Sequence, residues 1–245
     1  MPRKAYLYGL PYECYEDLHV RKYGFHGTSH RFVSAELAKL MGKKPEELKI
    51  VSCHLGNGSS ITAIKDGKVI DTSMGLTPLD GFIMGSRCGG VDPSAITYLQ
   101  EKEGWTPAET AEILNKKSGV LGVSGVSSDF RDLGAAAQAG NERAKLALDM
   151  FIYSVKKYIG SYAAAMNGVD AIVFTAGVGE NDRSVRAGVL KDMEYLGILP
   201  DFEYNETCPR GEEVCISKPE SPVKVFVIPT DEELMIAKDT ARLAK

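Results

Sequence analysis

Residues 53–90 read CHLGNGSSITAIKDGKVIDTSMGLTPLDGFIMGSRCGG, and the rest of the chain is organised around them. The apolar run Ile50–Cys53 gives way here to a Gly/Asn/Ser-rich segment, residues 54–60. Two β-branched runs then flank the turn Lys65–Lys68, and an Asp-Gly pair in that setting is a strong hairpin signal. Glycines let the backbone approach an anion closely, and successive N–H groups form a concave anion site. We therefore predict a phosphate-gripping loop at the mouth of a hairpin, with a plain surface turn as the alternative.

Composition places the chain among ordinary globular proteins. Its 245 residues are 44% hydrophobic and 25% charged, enough for one large domain or two small ones. The net charge of −4 argues against a nucleic-acid or membrane-surface partner, so local groups must hold any bound phosphate. No apolar run approaches the roughly 20 residues of a membrane-spanning helix. The first residues also lack the apolar segment of a signal peptide.

The five cysteines predict reduced thiols in a cytoplasmic protein. Their number is odd and no two have CxxC spacing, which disfavours both a disulfide framework and a zinc site. Cys53 is followed by His54, but neighbouring side chains on a strand point to opposite faces. These two residues are therefore not expected to form a catalytic pair.

A second Gly/Asn segment strengthens the phosphate hypothesis. The buried-type strand 171–174 (AIVF) leads into 176–181 (AGVGEN), which reads as a loop, and then into a helix through about Leu196. Strand–loop–helix units that alternate with hairpins predict an α/β domain. In such sheets ligands bind beyond the carboxyl ends of strands. Two Gly/Asn loops in that position indicate a nucleotide better than either does alone.

Capping signals and 3.6-residue periodicity predict the remaining elements. A helix over about 31–41 follows a polar loop and is capped by Thr28 or Ser29. Asp92 and Pro93 start a helix that ends at Gly104. The other predicted elements are a helix from Thr106, a long helix over 141–167, a last strand over 223–228 and a terminal helix that opens at 230–233.

Several polar side chains could serve phosphoryl transfer, which needs positioned donors and positive charge around the transferring group. Arg87 lies among glycines, where no helix face needs a solvated charge, and an arginine fork can bind two phosphoryl oxygens at once. A surface loop arginine is the alternative. The other candidates are Arg131, His26, His30 and Asn57.

Two metal hypotheses arise from spacing. His26 and His30 are four residues apart, but Gly27 argues against a helical pair, so a capping or core-polar role for His30 is favoured over metal binding. Mg²⁺ prefers one or two carboxylates together with phosphate and water. In residues 230–233, capping-box spacing assigns Glu233 to the backbone and leaves Glu232 for a metal, with Asp231 as the competitor.

Six segments together resemble the acetate kinase family, in that family's order and spacing and over nearly the whole chain. They are GFHGTSH (24–30), HLGNGSS (54–60), DTSMGLTPLDGFIMGSRCGGVDP (71–93), SDFRDL (128–133), AGVGEN (176–181) and TDEELMIA (230–237). The resemblance implies a ribonuclease-H-like α/β domain of the acetate and sugar kinase, actin and heat-shock ATPase superfamily. It also implies direct in-line transfer of the ATP γ-phosphoryl to acetate, giving ADP and acetyl phosphate.

The resemblance also implies roles for individual residues. His26 and Arg87 would be catalytic: His26 would stabilise the transferring phosphoryl group, and Arg87 would stabilise the same charge or align the carboxylate. Glu232 would bind Mg²⁺, with Mn²⁺ as a substitute. Two sets of residues would bind ATP or ADP: the phosphate loop His54, Leu55, Gly56, Asn57 and Gly58, and the adenosine pocket Asp129, Phe130, Arg131, Gly177, Val178, Gly179, Glu180 and Asn181. Family members form homodimers, so a second copy is the expected protein partner.

The resemblance further implies an N-terminal domain before this chain, with a catalytic aspartate, an arginine that faces the carboxylate and much of the acetate pocket. Three parts are then expected: an interdomain remnant and active-site loop (1–30), the nucleotide-binding C-terminal domain (31–230) and a terminal helix that packs on the missing domain (231–245). Two alternatives stay open. The chain is a catalytically inactive nucleotide-binding and dimerisation fragment, or it is part of a propionate or butyrate kinase.

Overall fold

The Asp-Gly pair forms the tight turn that the sequence predicts. Asp66 and Gly67 have φ values of 53° and 71°, the left-handed pair that joins two antiparallel strands in register. The computed structural model describes residues 1–244 of the chain. Its strands are β1 (Lys49–Leu55), β2 (Ser59–Lys65), β3 (Lys68–Thr72), β4 (Ala171–Thr175), β5 (Val214–Cys215) and β6 (Lys224–Val227).

These strands form one sheet in the order β3-β2-β1-β4-β6-β5. The first three strands are an antiparallel meander, whereas β4 runs parallel to β1 and β6 runs parallel to β4. The short β5 closes the far edge antiparallel to β6. Because β1 and β4 are parallel neighbours, their carboxyl ends meet at one edge of the sheet, with His54 opposite Thr175. The predicted α/β class is confirmed.

Twelve helices surround the sheet within residues 1–244. They are α1 (Arg3–Tyr6), α2 (Tyr12–Glu16), α3 (Gly27–Leu40), α4 (Pro93–Glu103), α5 (Pro107–Lys116), α6 (Gly119–Ser124), α7 (Phe130–Gln138), α8 (Glu142–Met166), α9 (Ala176–Asn181), α10 (Arg183–Leu190), α11 (Phe202–Thr207) and α12 (Glu232–Leu243). None of the helices in this part of the chain is long and apolar enough to cross a membrane.

Two apolar cores lie on opposite faces of the sheet. The long helix α8 packs Phe151, Val155 and Ile159 onto one face, and all three side chains are fully buried. Helix α3 covers the other face with residues such as Leu37. Each fully buried side chain of this size contributes about 1.5–3 kcal/mol. The sheet is therefore fixed on both sides, and its carboxyl edge is a firm platform for the loops.

Most predicted caps are confirmed. Asp92 accepts a hydrogen bond from the backbone N–H of Ser94, and Gly104 adopts the left-handed conformation after α4. Thr106 and Glu109 form the predicted capping box of α5. Asn141 caps α8, whose 25 residues agree with the predicted long helix. These signals depend on residues within four positions of each other, which explains why the sequence alone identifies them.

Helix α3 begins earlier than predicted, and neither Thr28 nor Ser29 caps it. Its first residue is Gly27, and His26 before it adopts a left-handed conformation with a φ of 57° and no side-chain cap. Ser29 instead lies buried inside the first turn, where its hydroxyl contacts Nδ1 of His54 at 2.8 Å. The tertiary contact replaces the local cap.

The two Gly/Asn segments differ from the predicted loops. Strand β1 continues to Leu55 and β2 begins at Ser59, so only residues 56–58 form a turn. Residues 176–181 form helix α9 directly after β4, and the strand-to-helix corner places Ala176 at a strained φ of 65°. The helix predicted to reach Leu196 ends at Leu190 and is followed by a separate 3₁₀ turn.

The capping box predicted for the terminal helix is wrong. Asp231 caps α12, because its carboxylate accepts from the backbone N–H of Leu234 at 2.8 Å. The Thr230 hydroxyl instead donates to Ser29 Oγ across the sheet edge at 2.8 Å. Asp231 is thereby committed to the backbone. Glu233 has no cap role, whereas Glu232 keeps its predicted freedom.

Candidate active site

A cavity of about 780 Å³ opens at the carboxyl edge of β1 and β4. This is the size class of small-molecule sites. Five elements supply its walls: the 56–58 turn, the start of α7, helix α9, the start of α10, and α11 with the loop after it. Eight of the predicted nucleotide-binding residues line it: Gly56, Asn57, Asp129, Phe130, Arg131, Gly177, Val178 and Asn181. The structure thus brings together segments that lie more than 120 residues apart in the sequence.

Six further residues line the same cavity, and of these only Ser128 belongs to a motif that the sequence analysis used. They are Ser128, Asp182, Arg183, Ser184, Glu206 and Arg210. Asp182 caps α10 by accepting from the backbone N–H of Val185, a signal that the sequence could have shown. Glu206 and Arg210 come from α11 and the loop after it, where only tertiary packing brings them to the cavity.

Asp129 and Arg131 form a local pair at the cavity wall. The Asp129 carboxylate caps α7 through the backbone N–H of Arg131 and also accepts from the Arg131 guanidinium. These hydrogen bonds lower the pKa of Asp129 to about 2. The pair is solvent-exposed, so it adds little to stability. The Asp129–Arg131 pair instead contributes to the geometry of the site, because it holds the Asp129 carboxylate at the mouth of the cavity.

Five predicted nucleotide-binding residues do not line the cavity. Leu55 is fully buried in the core, and Gly179 is buried in α9 beside Phe174. His54 and Gly58 lie beside His26 and Arg87, as described below. The Glu180 carboxylate is occupied structurally: its Oε1 accepts from the backbone N–H groups of Ala176 at 2.7 Å and Thr230 at 3.1 Å. Glu180 therefore ties the strained corner to the start of the terminal segment.

The 56–58 turn links this cavity to the two predicted catalytic residues. A methyl group on Gly58 would lie 2.9 Å from Nη1 of Arg87 and 3.7 Å from Nε2 of His26. Both nitrogens therefore lie on the same side of Gly58, where a larger side chain would displace the end of Arg87. The Arg87 loop is fixed to the turn by the backbone N–H of Gly85, which donates to the Asn57 carbonyl at 3.1 Å.

Three histidines gather beside this point. The rings of His26 and His54 stack with centroids 4.0 Å apart and an interplanar angle of 14°. Burial lowers the pKa of His54 to about 3, and burial followed by the nearby Arg87 lowers the pKa of His26. Burial also holds the pKa of His30 well below its usual value. All three rings are thus neutral at pH 7.

The two-histidine metal hypothesis is not supported. Both ring nitrogens of His30 are engaged, Nδ1 with Ser52 Oγ at 2.8 Å and Nε2 with Ser60 Oγ at 2.7 Å. This agrees with the core-polar role favoured for it. Among the residues that the structure describes, no three His, Cys, Asp or Glu side chains are grouped to hold a metal.

Glu232 fits a magnesium ion of the kind that nucleotides carry. It is the first residue of α12, half-buried, and its carboxylate has no hydrogen bond or ion pair within residues 1–244. Thr230, two residues before it, is bonded to Ser29 beside His54, so Glu232 starts at the same edge of the sheet. A single carboxylate is enough for Mg²⁺ when phosphate oxygens and water complete its shell.

Cys53 lies on the other face of β1, as the alternation of strand side chains predicts. It is fully buried in the α8 core, and burial raises the pKa of its thiol well above the usual value. It is therefore an inert core residue, whereas His54 next to it faces the site.

The acetokinase family model matches residues 1–238 of the chain. The acetate kinase of Carboxydothermus hydrogenoformans is 61% identical over 243 residues, which are 99% of this chain and 60% of that protein. The acetate kinase of Caldicellulosiruptor bescii is 60% identical over 243 residues, 99% of this chain and 61% of that protein. The chain thus spans about 60% of the length of the curated relatives it matches.

Solved structures agree. The crystal structure of Porphyromonas gingivalis acetate kinase superposes with a TM-score of 0.98 at 54% identity, covering 100% of this chain and 61% of that one. A propionate kinase from Francisella tularensis gives 0.91 at 43% identity, over 98% of this chain and 60% of that one. These matches confirm the predicted α/β fold, which this chain shares with the two kinases. The chain belongs to the acetokinase family.

Proposed function

We propose that this chain is the nucleotide-binding part of an acetate kinase, which converts ATP and acetate to ADP and acetyl phosphate by direct in-line transfer. One observation carries the proposal. The cavity lined by eight predicted nucleotide residues adjoins, across the three-residue turn 56–58, the point where Arg87 and His26 converge. Adenosine would occupy the cavity, the phosphates would follow the turn, and the γ-phosphoryl group would face Arg87 and His26.

The chemistry then follows from the groups at Gly58. An acetate oxygen forms a bond to the γ-phosphorus while the bond from that phosphorus to the β–γ bridging oxygen breaks, leaving ADP. Arg87 donates to the phosphoryl oxygens with full charge, and neutral His26 donates an N–H without adding charge. Mg²⁺, or Mn²⁺ in its place, would be held by Glu232 and would neutralise phosphate charge when bound.

A second candidate function is a nucleotide-binding module that does not turn over. It is supported by length, because the chain spans about 60% of the acetate kinases it matches. Three further expectations go with either candidate function. The chain divides into 1–30, 31–230 and 231–245, and the last segment packs on a further domain. The protein is a homodimer and is located in the cytoplasm. The chain is also similar to the Francisella propionate kinase, so phosphoryl transfer to a longer carboxylate such as propionate is a variant of the same proposal.

Titration calorimetry with Mg·ADP tests the nucleotide site. Asp129→Ala removes a cavity carboxylate held by Arg131, and we expect about tenfold weaker binding, the effect of one strong hydrogen bond. Asp92→Ala is the matched control, because it removes the same kind of helix cap away from the cavity. Absence of binding to the unaltered chain, or equal losses in both variants, would refute the nucleotide pocket.

Acetyl phosphate formation, trapped as hydroxamate, separates the two candidate functions. The assay compares the chain alone with the chain plus the N-terminal part of the Carboxydothermus relative. The acetate kinase proposal predicts activity in at least the second mixture. Full activity of the chain alone would rule out the module that does not turn over. No activity in either, with ADP still bound, would leave only that module.

A further inference from the structure

A line of buried hydroxyl and imidazole groups runs from β1 to the proposed phosphoryl site. The Ser52 hydroxyl contacts Nδ1 of His30 at 2.8 Å, and Nε2 of His30 contacts the Ser60 hydroxyl at 2.7 Å. Ser60 in turn contacts Nδ1 of His26 at 2.9 Å. Nε2 of His26, the free end of this line, faces the space beside Gly58 and Arg87.

Counting hydrogens leaves two arrangements. The Ser60 hydroxyl has one hydrogen but contacts two ring nitrogens, so it donates to one histidine and accepts from the other. A neutral imidazole has one N–H, so the choice at Ser60 fixes both rings. Either every donor points toward His26, or every donor points back toward Ser52.

Ser52 decides between them. It is fully buried, and within residues 1–244 its hydroxyl has only one partner, Nδ1 of His30. If the donors pointed toward Ser52, its hydroxyl oxygen would accept from Nδ1 of His30, and its own hydrogen would have no acceptor. Folded proteins avoid a buried unsatisfied donor of this kind. If the donors point toward His26, each hydrogen between Ser52 and Nδ1 of His26 has an acceptor.

A second line with the same direction ends on the stacked ring. Thr230 donates to Ser29 Oγ, so the Ser29 hydrogen is directed to Nδ1 of His54. His54 then has its proton on Nε2, as His26 does. The two stacked imidazoles are independently fixed in the same tautomer.

We propose that Ser52, His30 and Ser60 are positioning residues that hold His26 as the Nε2–H tautomer, a neutral N–H donor aimed at the same point as Arg87. This rests on the proposed function, in which that point is occupied by the transferred phosphoryl group. His26 faces Arg87, His54 and His30, and burial among them favours its neutral form. This line of hydrogen bonds, the Ser52–His26 relay, makes His26 a fixed hydrogen-bond donor, so that His26 does not act as a base. The transfer needs no base, because the acceptor is a carboxylate.

Long-range ¹H–¹⁵N correlation of the imidazole rings, recorded on the ¹⁵N-labelled chain at pH 7, tests the tautomer without any need for turnover. We expect His26, His30 and His54 all to show the Nε2–H pattern. An Nδ1–H pattern for His26 in the unaltered chain would overturn the proposal. The result is independent of the hydroxamate and calorimetry experiments, so failure of the proposed function is distinguishable from failure of the relay.

Variants of Ser60 test the coupling. In Ser60→Ala, His26 loses its Nδ1 donor, and the ratio of Nε2–H to Nδ1–H should fall by about fivefold, as loss of one hydrogen bond predicts. Ser60→Thr keeps the hydroxyl and should restore the original ratio. Thr62→Val is the matched control: it removes a buried hydroxyl from the same face of β2 that contacts Thr72 and no histidine. An unchanged His26 ratio in Ser60→Ala would refute the relay.

Discussion

Burial decides the chemistry of the three histidines near the proposed phosphoryl site. A charged imidazole loses its hydration there, so each ring is held neutral and takes its hydrogen bonds from serine hydroxyls. Neutral rings can lie within stacking distance of each other and beside Arg87 without repulsion. The site thereby places one full positive charge and one neutral donor at the same point. Both are suited to an anion whose charge must be stabilised during transfer.

The same burial makes stability depend on pH. The pKa of His54 falls to about 3 in the fold and that of His30 lies well below 6.5, so the unfolded chain binds more protons than the folded one below pH 6.5. Their contribution is complete above pH 6.5 and is lost as pH falls. We expect the free energy of unfolding to drop by about 2 kcal/mol between pH 6 and pH 5, from urea titrations at each pH.

His54→Gln provides the comparison for this prediction. It removes one of the two rings whose pKa the fold lowers most, so the slope over the same interval should fall by up to about half. A slope that is flat from pH 7 to pH 5 in the unaltered chain would mean that the two rings are not held neutral by the fold.

At the scale of elements, the site depends on how short segments are joined beyond the sheet edge. Helix α9 starts directly on β4, and the strained Ala176 corner turns it toward the cavity. Glu180 holds the amino end of α9, whereas Arg186 of α10 holds its carboxyl end by donating to the carbonyls of Gly179 and Glu180. The same guanidinium donates to Asn205 of α11 at 2.8 Å. One arginine thus joins three helices around the cavity.

Arg186→Met tests this joint. Arg186 is 1% exposed and has no carboxylate partner within the described chain, so the variant leaves two helix carbonyls and Asn205 unsatisfied in the interior. We expect a loss of about 3 kcal/mol in urea unfolding and weaker Mg·ADP binding, because α9 lines the cavity. Arg143→Met is the control: Arg143 also donates to two carbonyls but is exposed, so water can replace it. Similar losses in both variants would contradict the joint.

The elements that the sequence predicts correctly are those that depend on close neighbours. The Asp66–Gly67 turn, the Asp92 and Thr106 caps and the period of α8 each need only a few adjacent residues. The cavity residues that belong to the six quoted motifs were predicted from the resemblance to a family. Arg186 and Glu206 carry no local pattern, and Ser52, Ser60 and the histidines meet across 22 to 34 positions of sequence. Such contacts exist only once the sheet and α3 have packed.

At the scale of the whole molecule, residues 1–30 and 231–244 are attached very differently. The first segment is bound to the sheet edge through the Lys22–Asp71 ion pair at 2.9 Å and through Tyr8, which donates toward Asp80. Helix α12 has no buried residue, and Leu234, Ile236 and Leu243 are exposed. The cavity and Arg87 lie between these segments in the sequence, and His26 lies in the first of them, so none of them belongs to α12. The fold of the site should therefore survive loss of α12.

Deletion of residues 232–245 tests that independence. Within residues 1–244, the deletion removes the packing of partly buried Met235 against the α3 core and the exposed Arg31–Asp239 ion pair. We expect the free energy of unfolding to fall by about 1–2 kcal/mol, and Met235→Ala in the whole chain should reproduce most of that loss.

The truncated chain should bind ADP in the absence of magnesium as the whole chain does. Magnesium should no longer strengthen ADP binding, because the deletion removes Glu232. A truncated chain that fails to fold would show that α12 is part of the core unit, whereas one that keeps the magnesium effect would remove Glu232 as the ligand.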